Sequence, residues 1–151
     1  MKNKTGFTLI ELLVVFAIIG ILFATVAANF NTSKSRARDA LRESDIKQYQ
    51  TQLEVFANTQ SSQLYPSRIT TAVDITSLCT TLGISATCPT DPQAPTYIYS
   101  YISNGTGFPN NNASQYILWA HLEATSNYFV ICSNGKTGTS ATAPTILPCP
   151  I

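Results

Sequence analysis

The chain has 151 residues, of which 44% are hydrophobic and 11% charged, and its formal net charge is +1. A charged fraction this far below the ~25% usual for soluble domains bounds the answer at one small domain plus an apolar segment. Nine basic side chains against eight acidic ones leave no electrostatic footprint for nucleic acid, which calls for a basic patch and a high pI.

The chain opens on a short basic stretch, Met1 to Gly6, with Lys2 and Lys4, and then runs apolar from Phe7 to Phe30. As a helix at ~1.5 Å per residue that run reaches about 36 Å, enough for a ~30 Å hydrocarbon core. Its single charge is Glu11. An ionised carboxylate in such a span costs on the order of 2.5–3.5 kcal/mol and marks function by default. Three readings of this N-terminus compete. A secretory signal would be cut at the small residues Val26-Ala27-Ala28, before Asn29, but Phe7 to Phe23 exceeds the usual ~7–15 residue apolar core and carries Glu11. A plain signal anchor has no use for a buried acid.

The third reading rests on Gly6-Phe7-Thr8-Leu9-Ile10-Glu11-Leu12-Leu13-Val14-Val15. This stretch resembles the prepilin cleavage and methylation motif of type IV pilins and type II secretion pseudopilins. The resemblance implies a leader, residues 1–6, removed by a membrane-embedded prepilin peptidase between Gly6 and Phe7, with methylation of the new Phe7 amine. It also implies the partners: identical subunits in a helical filament, an inner-membrane assembly platform, and membrane lipid before assembly. The head would lie on the extracytoplasmic side and end in a periplasmic or cell-surface filament. Gly6 lets an extended backbone enter a protease cleft. Lys2 and Lys4 would hold the leader on the cytoplasmic face. Lys34, Arg36 and Arg38 beyond the other end of the run oppose them, partly offset by Asp39, Glu43 and Asp45. After cleavage, Phe7 becomes a cationic amine one turn from Glu11. Glu11 is then expected to pair with the Phe7 amine of a neighbouring subunit, a buried pair suited to fixing register.

A helix is predicted from about Thr8 to Asn58: membrane-spanning over residues 7–30, an amphipathic stalk over 31–58. Ile46, Tyr49, Leu53 and Phe56 recur at three- and four-residue steps and make one apolar face. Glu43 with Lys47, Asp39 with Arg42, and Arg42 with Asp45 read as pairs on a solvated face. Gly20 is the weak point, at roughly 1 kcal/mol against Ala.

Residues 59–151 form the predicted head. Tyr65-Pro66 resembles the start of a major pseudopilin head. Asp74 or Thr76 caps a predicted short helix through Leu82, with Cys79 inside it and Gly83 closing it. Cys88 to Pro92 reads as a rigid loop. Thr96–Ile102, Tyr116–Leu122 and Asn127–Ser133 are the strand candidates, bounded by turn residues such as Asn104-Gly105 and Asn134-Gly135, and the last two make a hairpin. The fold expected is α+β, a long N-terminal helix packed on a three- to four-stranded antiparallel sheet.

Four cysteines allow three pairings and need an oxidising compartment. Cys79–Cys88 with Cys132–Cys149 is favoured because each closes a short segment and the second ties down the tail, each contributing on the order of 3 kcal/mol. Their spacings fit no zinc pattern. The second bridge resembles the C-terminal disulfide loop of type IV pilins. His121 shares a strand face with Ile117 and Trp119 and has no catalytic partner, so it reads as a packed or surface residue. Tyr97, Tyr99 and Tyr101 form a stripe that covers a core, or a lateral filament contact if exposed. Asp74, Asp91 and Glu123 are too few and scattered for a calcium cage of six to eight oxygens. Asn31, Asn104 and Asn112 begin chance Asn-x-Ser/Thr triplets.

No metal, cofactor or enzymatic activity is expected. The expected function is a structural subunit of a type IV pilus or a secretion pseudopilus acting in protein export. A DNA-uptake subunit is disfavoured by a head with only Arg68 and Lys136 as cations. A reading of a different class is a secreted binding domain cut after Ala28. Intact mass spectrometry of the mature protein separates these: a chain starting at methylated Phe7 is expected, whereas one starting at Asn29 establishes the secreted domain.

Overall fold

A computed structural model of the chain describes residues 6–68, 71–107, 111–145 and 147–151, with the backbone alone for residues 27–29. Lys2 and Lys4 lie outside the described residues, as do the side chains of Ala27 and Ala28. The chain divides into two units, Met1–Ser35 and Arg36–Ile151. One helix, α1, runs from Leu9 to Thr59 and belongs to both. It contains no proline and one glycine, so nothing in its sequence breaks the hydrogen-bond ladder. A cut after Ala28 would fall within this continuous helix.

In the first unit, Leu9–Val26 has a mean hydropathy of 2.8 and none of it is buried. Leu9, Phe16, Ile21 and Phe23 are among many large apolar side chains left exposed. The segment is long and apolar enough to cross a membrane.

In the second unit the helix buries Ile46, Tyr49 and Leu53 completely and Phe56 nearly so. Against that face lies a five-stranded antiparallel sheet in sequential order: β1 (Val73–Asp74), β2 (Ser100–Ser103), β3 (Tyr116–His121), β4 (Tyr128–Cys132) and β5 (Thr137–Ser140). The β3–β4 register pairs Ile117 with Cys132 and His121 with Tyr128. Side chains alternate across each strand. Tyr101, Tyr116, Leu118, Ala120, Phe129 and Ile131 pack in one cluster with the helix residues. Ile102, Ile117, Trp119, Val130 and Cys132 form a second cluster, covered by Leu147, Cys149 and Ile151 of the tail. β3 is thus buried on both faces, which is why it reads as an almost unbroken apolar run.

Several elements differ from the sequence reading. β2 starts at Ser100, not Thr96, because residues 91–97 turn on themselves: the Ala94 N–H bonds Asp91 O and the Thr96 N–H bonds Gln93 O. The short helix is a single 3₁₀ turn, Ile75–Leu78, capped by the Asp74 carboxylate accepting from the Thr76 N–H at 2.9 Å. Cys79 caps its far end. The sheet gains two strands. β1 is only two residues long, and β5 consists of Thr, Gly and Ser, so neither has an apolar run to announce it. Asn134-Gly135, expected as a turn, leads into β5, with Gly135 in the left-handed region at φ 81.

Disulfides join Cys79 to Cys88 and Cys132 to Cys149. The helix exit is tied down by mutual hydrogen bonds between the Tyr65 and Ala113 backbones, and by Tyr101 Oη and Ser103 Oγ donating to Pro66 O. Gly105 sits in the same corner. A Cβ there would meet Ser67 Oγ at 2.4 Å, Asn112 Oδ1 at 2.5 Å and Ala113 Cβ at 2.8 Å. Gly105→Ala is therefore expected to destabilise the second unit by about 1–3 kcal/mol, read from the thermal unfolding midpoint in detergent. Gly20→Ala, where nothing lies within 4 Å of the new Cβ, serves as the control without a clash.

Candidate functional site

The motif residues cluster where α1 begins. Thr8 directly precedes the helix, and Glu11 is its third residue. Thr8 Oγ1 and the Thr8 N–H donate to Glu11 Oε2 at 2.6 and 2.9 Å, while the Glu11 N–H donates to Thr8 Oγ1 at 3.3 Å. This reciprocal arrangement is a capping box, which satisfies amide groups that a helix start leaves open. It also places the carboxylate at the positive end of the helix dipole. The sequence reading missed it, although Thr8-Leu-Ile-Glu11 carries the Ser/Thr-x-x-Glu signature in full. Among the described residues Oε1 of Glu11 takes no hydrogen bond, so one carboxylate oxygen stays open to a further partner. Phe7 is 79% exposed, and Gly6 has open space around it.

A second polar cluster lies inside the Arg36–Ile151 unit, and it overturns the reading of Asp39 and Arg42 as a solvated face. Arg42 is completely buried. Its Nε and Nη2 donate to the two carboxylate oxygens of Asp91 at 2.6 and 2.9 Å, and Nη2 also donates to Gln93 Oε1 at 3.0 Å. Nη1 donates to Asp39 Oδ1 at 2.9 Å and to Glu123 Oε1. Asp39 in turn accepts the N–H groups of Glu123 and Ala124, both at 2.8 Å. Arg38 grips both oxygens of Glu123. The physical reason is phase: Asp39 and Arg42 continue the three- and four-residue steps of Ile46, Tyr49 and Leu53, so they point inward. The pair between Arg42 and Asp45 does not form, because Asp45 accepts Tyr99 Oη at 2.6 Å. Glu43 and Lys47 remain a loose surface pair at 3.9 Å.

Burial alone would lower the Arg42 pKa, but hydrogen bonds to Asp91, Glu123 and Asp39 outweigh it and push the net value up. Glu123 is held down from 4.5 to about 2, mainly by Arg38, with burial opposing and Arg42 adding to the effect. Asp45 is pushed up by burial, against the pull of the Tyr99 hydroxyl. Farther along the helix, Glu54 accepts the hydroxyls of Tyr65 and Tyr116 at 2.9 and 2.8 Å.

The remaining candidates have packing roles. Asp91 and Glu123, far apart in sequence, meet around a guanidinium. Among the described residues no group of three or more His, Cys, Asp or Glu is arranged to hold a metal. His121 stacks on Tyr97 at 4.9 Å and meets the edge of Tyr128 at 5.2 Å. Tyr99 and Tyr101 are buried, so the tyrosine stripe covers the core at those two positions. Tyr97 is half-buried, with the Arg42 guanidinium 5.3 Å from its ring. Asn104 bonds the Ser114 and Gln115 amides, and Asn112 bonds Ser67.

Residues 1–27 match the family described as the prokaryotic N-terminal methylation motif. Over 149 residues, 97% of this chain and 92% of the relative, the chain is 29% identical to the type II secretion system core protein G of Vibrio cholerae. Over 41 residues, 27% of this chain and 31% of the relative, it is 51% identical to the type IV wide pilus major component PilA4 of Thermus thermophilus. No solved structure matches.

The electrostatics around Arg42 set an acid limit. Because Glu123 titrates lower in the folded state, its contribution is present above pH 4.5 and is lost as pH falls from 4.5 towards 2. Thermal midpoints measured across that window should fall with pH, and less steeply in Glu123→Gln. Arg42→Met, which leaves Asp91 buried without its cation, is expected to cost about 3–5 kcal/mol at neutral pH.

Proposed function

We propose that this chain, a member of the type IV pilin and pseudopilin family, is a structural subunit of a type IV filament. The observation that carries the reading is an exposed apolar helical segment, Leu9–Val26, which bears one acid, Glu11, in the first turn and lies within the residues that match the N-terminal methylation motif. A side-chain surface of that kind has two suitable environments, the bilayer and a bundle of identical helices.

Cutting the leader between Gly6 and Phe7 changes the electrostatics of this site. The Phe7 nitrogen turns from a neutral amide into a cationic amine, methylated in the mature subunit. Glu11 keeps Oε2 on Thr8 and offers Oε1 to the Phe7 amine of a neighbouring copy. In low dielectric an unmet carboxylate is costly, so only subunits at the right axial offset dock stably. Insertion in the inner membrane with the head outside the cytoplasm suits the two disulfides, which form where the environment is oxidising. Prepilin peptidase and an inner-membrane assembly platform are the partners this route requires. No catalytic activity is proposed.

Between pilus and secretion pseudopilus, one observation favours the latter. Similarity to the secretion core protein extends over nearly the whole of both chains, head included, whereas similarity to the pilus component covers 41 residues. The subunit is accordingly read as the major pseudopilin of a protein-export filament.

Glu11→Gln tests the charge itself, because glutamine is accepted at the third position of a capping box and preserves the helix start. Membrane insertion and leader cleavage are expected to continue, while the yield of sheared filaments falls about tenfold or more. Filaments at the wild-type level in that variant, seen by electron microscopy, refute the pairing.

A further inference from the structure

The stretch from Cys88 to Ile98 contains no strand, and its backbone hydrogen bonds close on themselves. The Ala94 N–H donates to Asp91 O at 3.0 Å, and the Thr96 and Tyr97 N–H groups donate to Gln93 O at 2.9 and 3.4 Å. Among the described residues no backbone–backbone bond ties this stretch to the helix or the sheet. Side chains hold it instead. Cys88 is bridged to Cys79 at one end. Tyr49 on the helix donates its hydroxyl to Pro89 O and lies 3.5 and 3.3 Å from the sulfurs of Cys79 and Cys88. Asp91 and Gln93 grip Arg42, and Tyr97 stacks on His121.

The same loop supplies most of what Arg42 needs. Three of the guanidinium's five hydrogen bonds go to Asp91 and Gln93, and only Nη1 is left to Asp39 and Glu123. Asp91 follows the bridged Cys88 by three residues, a reach of about 10 Å at most. We propose that the Cys79–Cys88 bridge is the positioning element for Arg42, holding Asp91 where the buried guanidinium needs it, so that the cluster closes fully only in the oxidised chain. Without the bridge, the loop must order itself at an entropic cost. Arg42 then either loses partners at a buried site or swings out to water.

Oxidation and charge burial thereby become one cooperative step. The two thiols give up two protons and two electrons and form the S–S bond. A disulfide oxidant of the small-molecule or oxidoreductase class takes them and leaves as two thiols. In a reducing compartment the helix and the Asp91 loop stay uncoupled, and the unit completes itself after reaching an oxidising one. The other bridge, Cys132–Cys149, packs on the opposite sheet face with Ile102, Ile117 and Trp119, away from Arg42 and its partners, and serves as an internal control.

The test uses the full-length chain in detergent micelles and the reciprocity of thermodynamic coupling. Dithiothreitol titration with thiol alkylation and peptide mass spectrometry reads each bridge separately. Asp91→Asn is expected to make Cys79–Cys88 reducible at about threefold less dithiothreitol or below, with Cys132–Cys149 shifting by less. A double-mutant cycle gives the second readout: Asp91→Asn should lower the thermal midpoint as much in Cys132→Ala/Cys149→Ala as in wild type, and less than about half as much in Cys79→Ala/Cys88→Ala. Unchanged reducibility of Cys79–Cys88 in Asp91→Asn, or the same midpoint loss in all three backgrounds, overturns the proposal. The titration stands alone if the Cys79→Ala/Cys88→Ala chain does not fold.

Discussion

Arg42 is the constraint around which the Arg36–Ile151 unit is organised. A buried guanidinium has five N–H groups and a full charge to satisfy, and no single partner can do both. Here the partners come from three places: the helix itself through Asp39, the irregular loop through Asp91 and Gln93, and the β3–β4 turn through Glu123. Asp39 reaches past Arg42 to two backbone amides of that turn. Two connections that lack regular structure thus take their places relative to the helix. Apolar packing of Ile46, Tyr49 and Leu53 would tolerate small slides along the helix axis. A guanidinium with fixed donor directions would not, and a buried ion cluster is better suited to specifying one register than to adding net stability.

The N-terminus handles its own costly charge differently. Among the described residues Glu11 has no cation beside it, and its carboxylate is met by the Thr8 hydroxyl and amide at the start of the helix. That arrangement explains how an acid can sit at the edge of an apolar span before any partner arrives. It also leaves the carboxylate half-satisfied among the described residues, as the proposed pairing requires. Arg42 is closed within its own unit, whereas one carboxylate oxygen of Glu11 stays open among the described residues.

The tyrosines extend the same economy of buried polar groups. Tyr99 gives its hydroxyl to Asp45, Tyr65 and Tyr116 give theirs to Glu54, and Tyr49 gives its own to Pro89 O. Tyr49, Tyr99 and Tyr116 place their rings in the core and Tyr65 packs against it, and each ends in a hydrogen bond to an acceptor. Along the inward side of the helix, polar contacts therefore alternate with Ile46 and Leu53.

The sequence by itself determined whatever depends on local pattern. The unbroken helix, the placement of Glu11 after Gly6-Phe7, and the central strands β3 and β4 follow from periodicity, turn residues and a contiguous motif. The capping box is legible too, in the Thr-x-x-Glu signature of Thr8 and Glu11. Of the partners of Arg42, only Asp39 was legible from its i,i+3 spacing, and tertiary structure decided the others. Phase along the helix pointed Asp39 and Arg42 inward, yet nothing local could show that Asp91 and Glu123, 49 and 81 residues beyond Arg42, would converge on one side chain. It likewise decided the late start of β2, where the Asp91 loop is drawn to Arg42, and the existence of β5, whose Thr, Gly and Ser residues pair only because β4 offers an edge. Local pattern records which face of an element is buried. Which distant groups meet there is set by the geometry of packing and by the cost of leaving a buried charge alone.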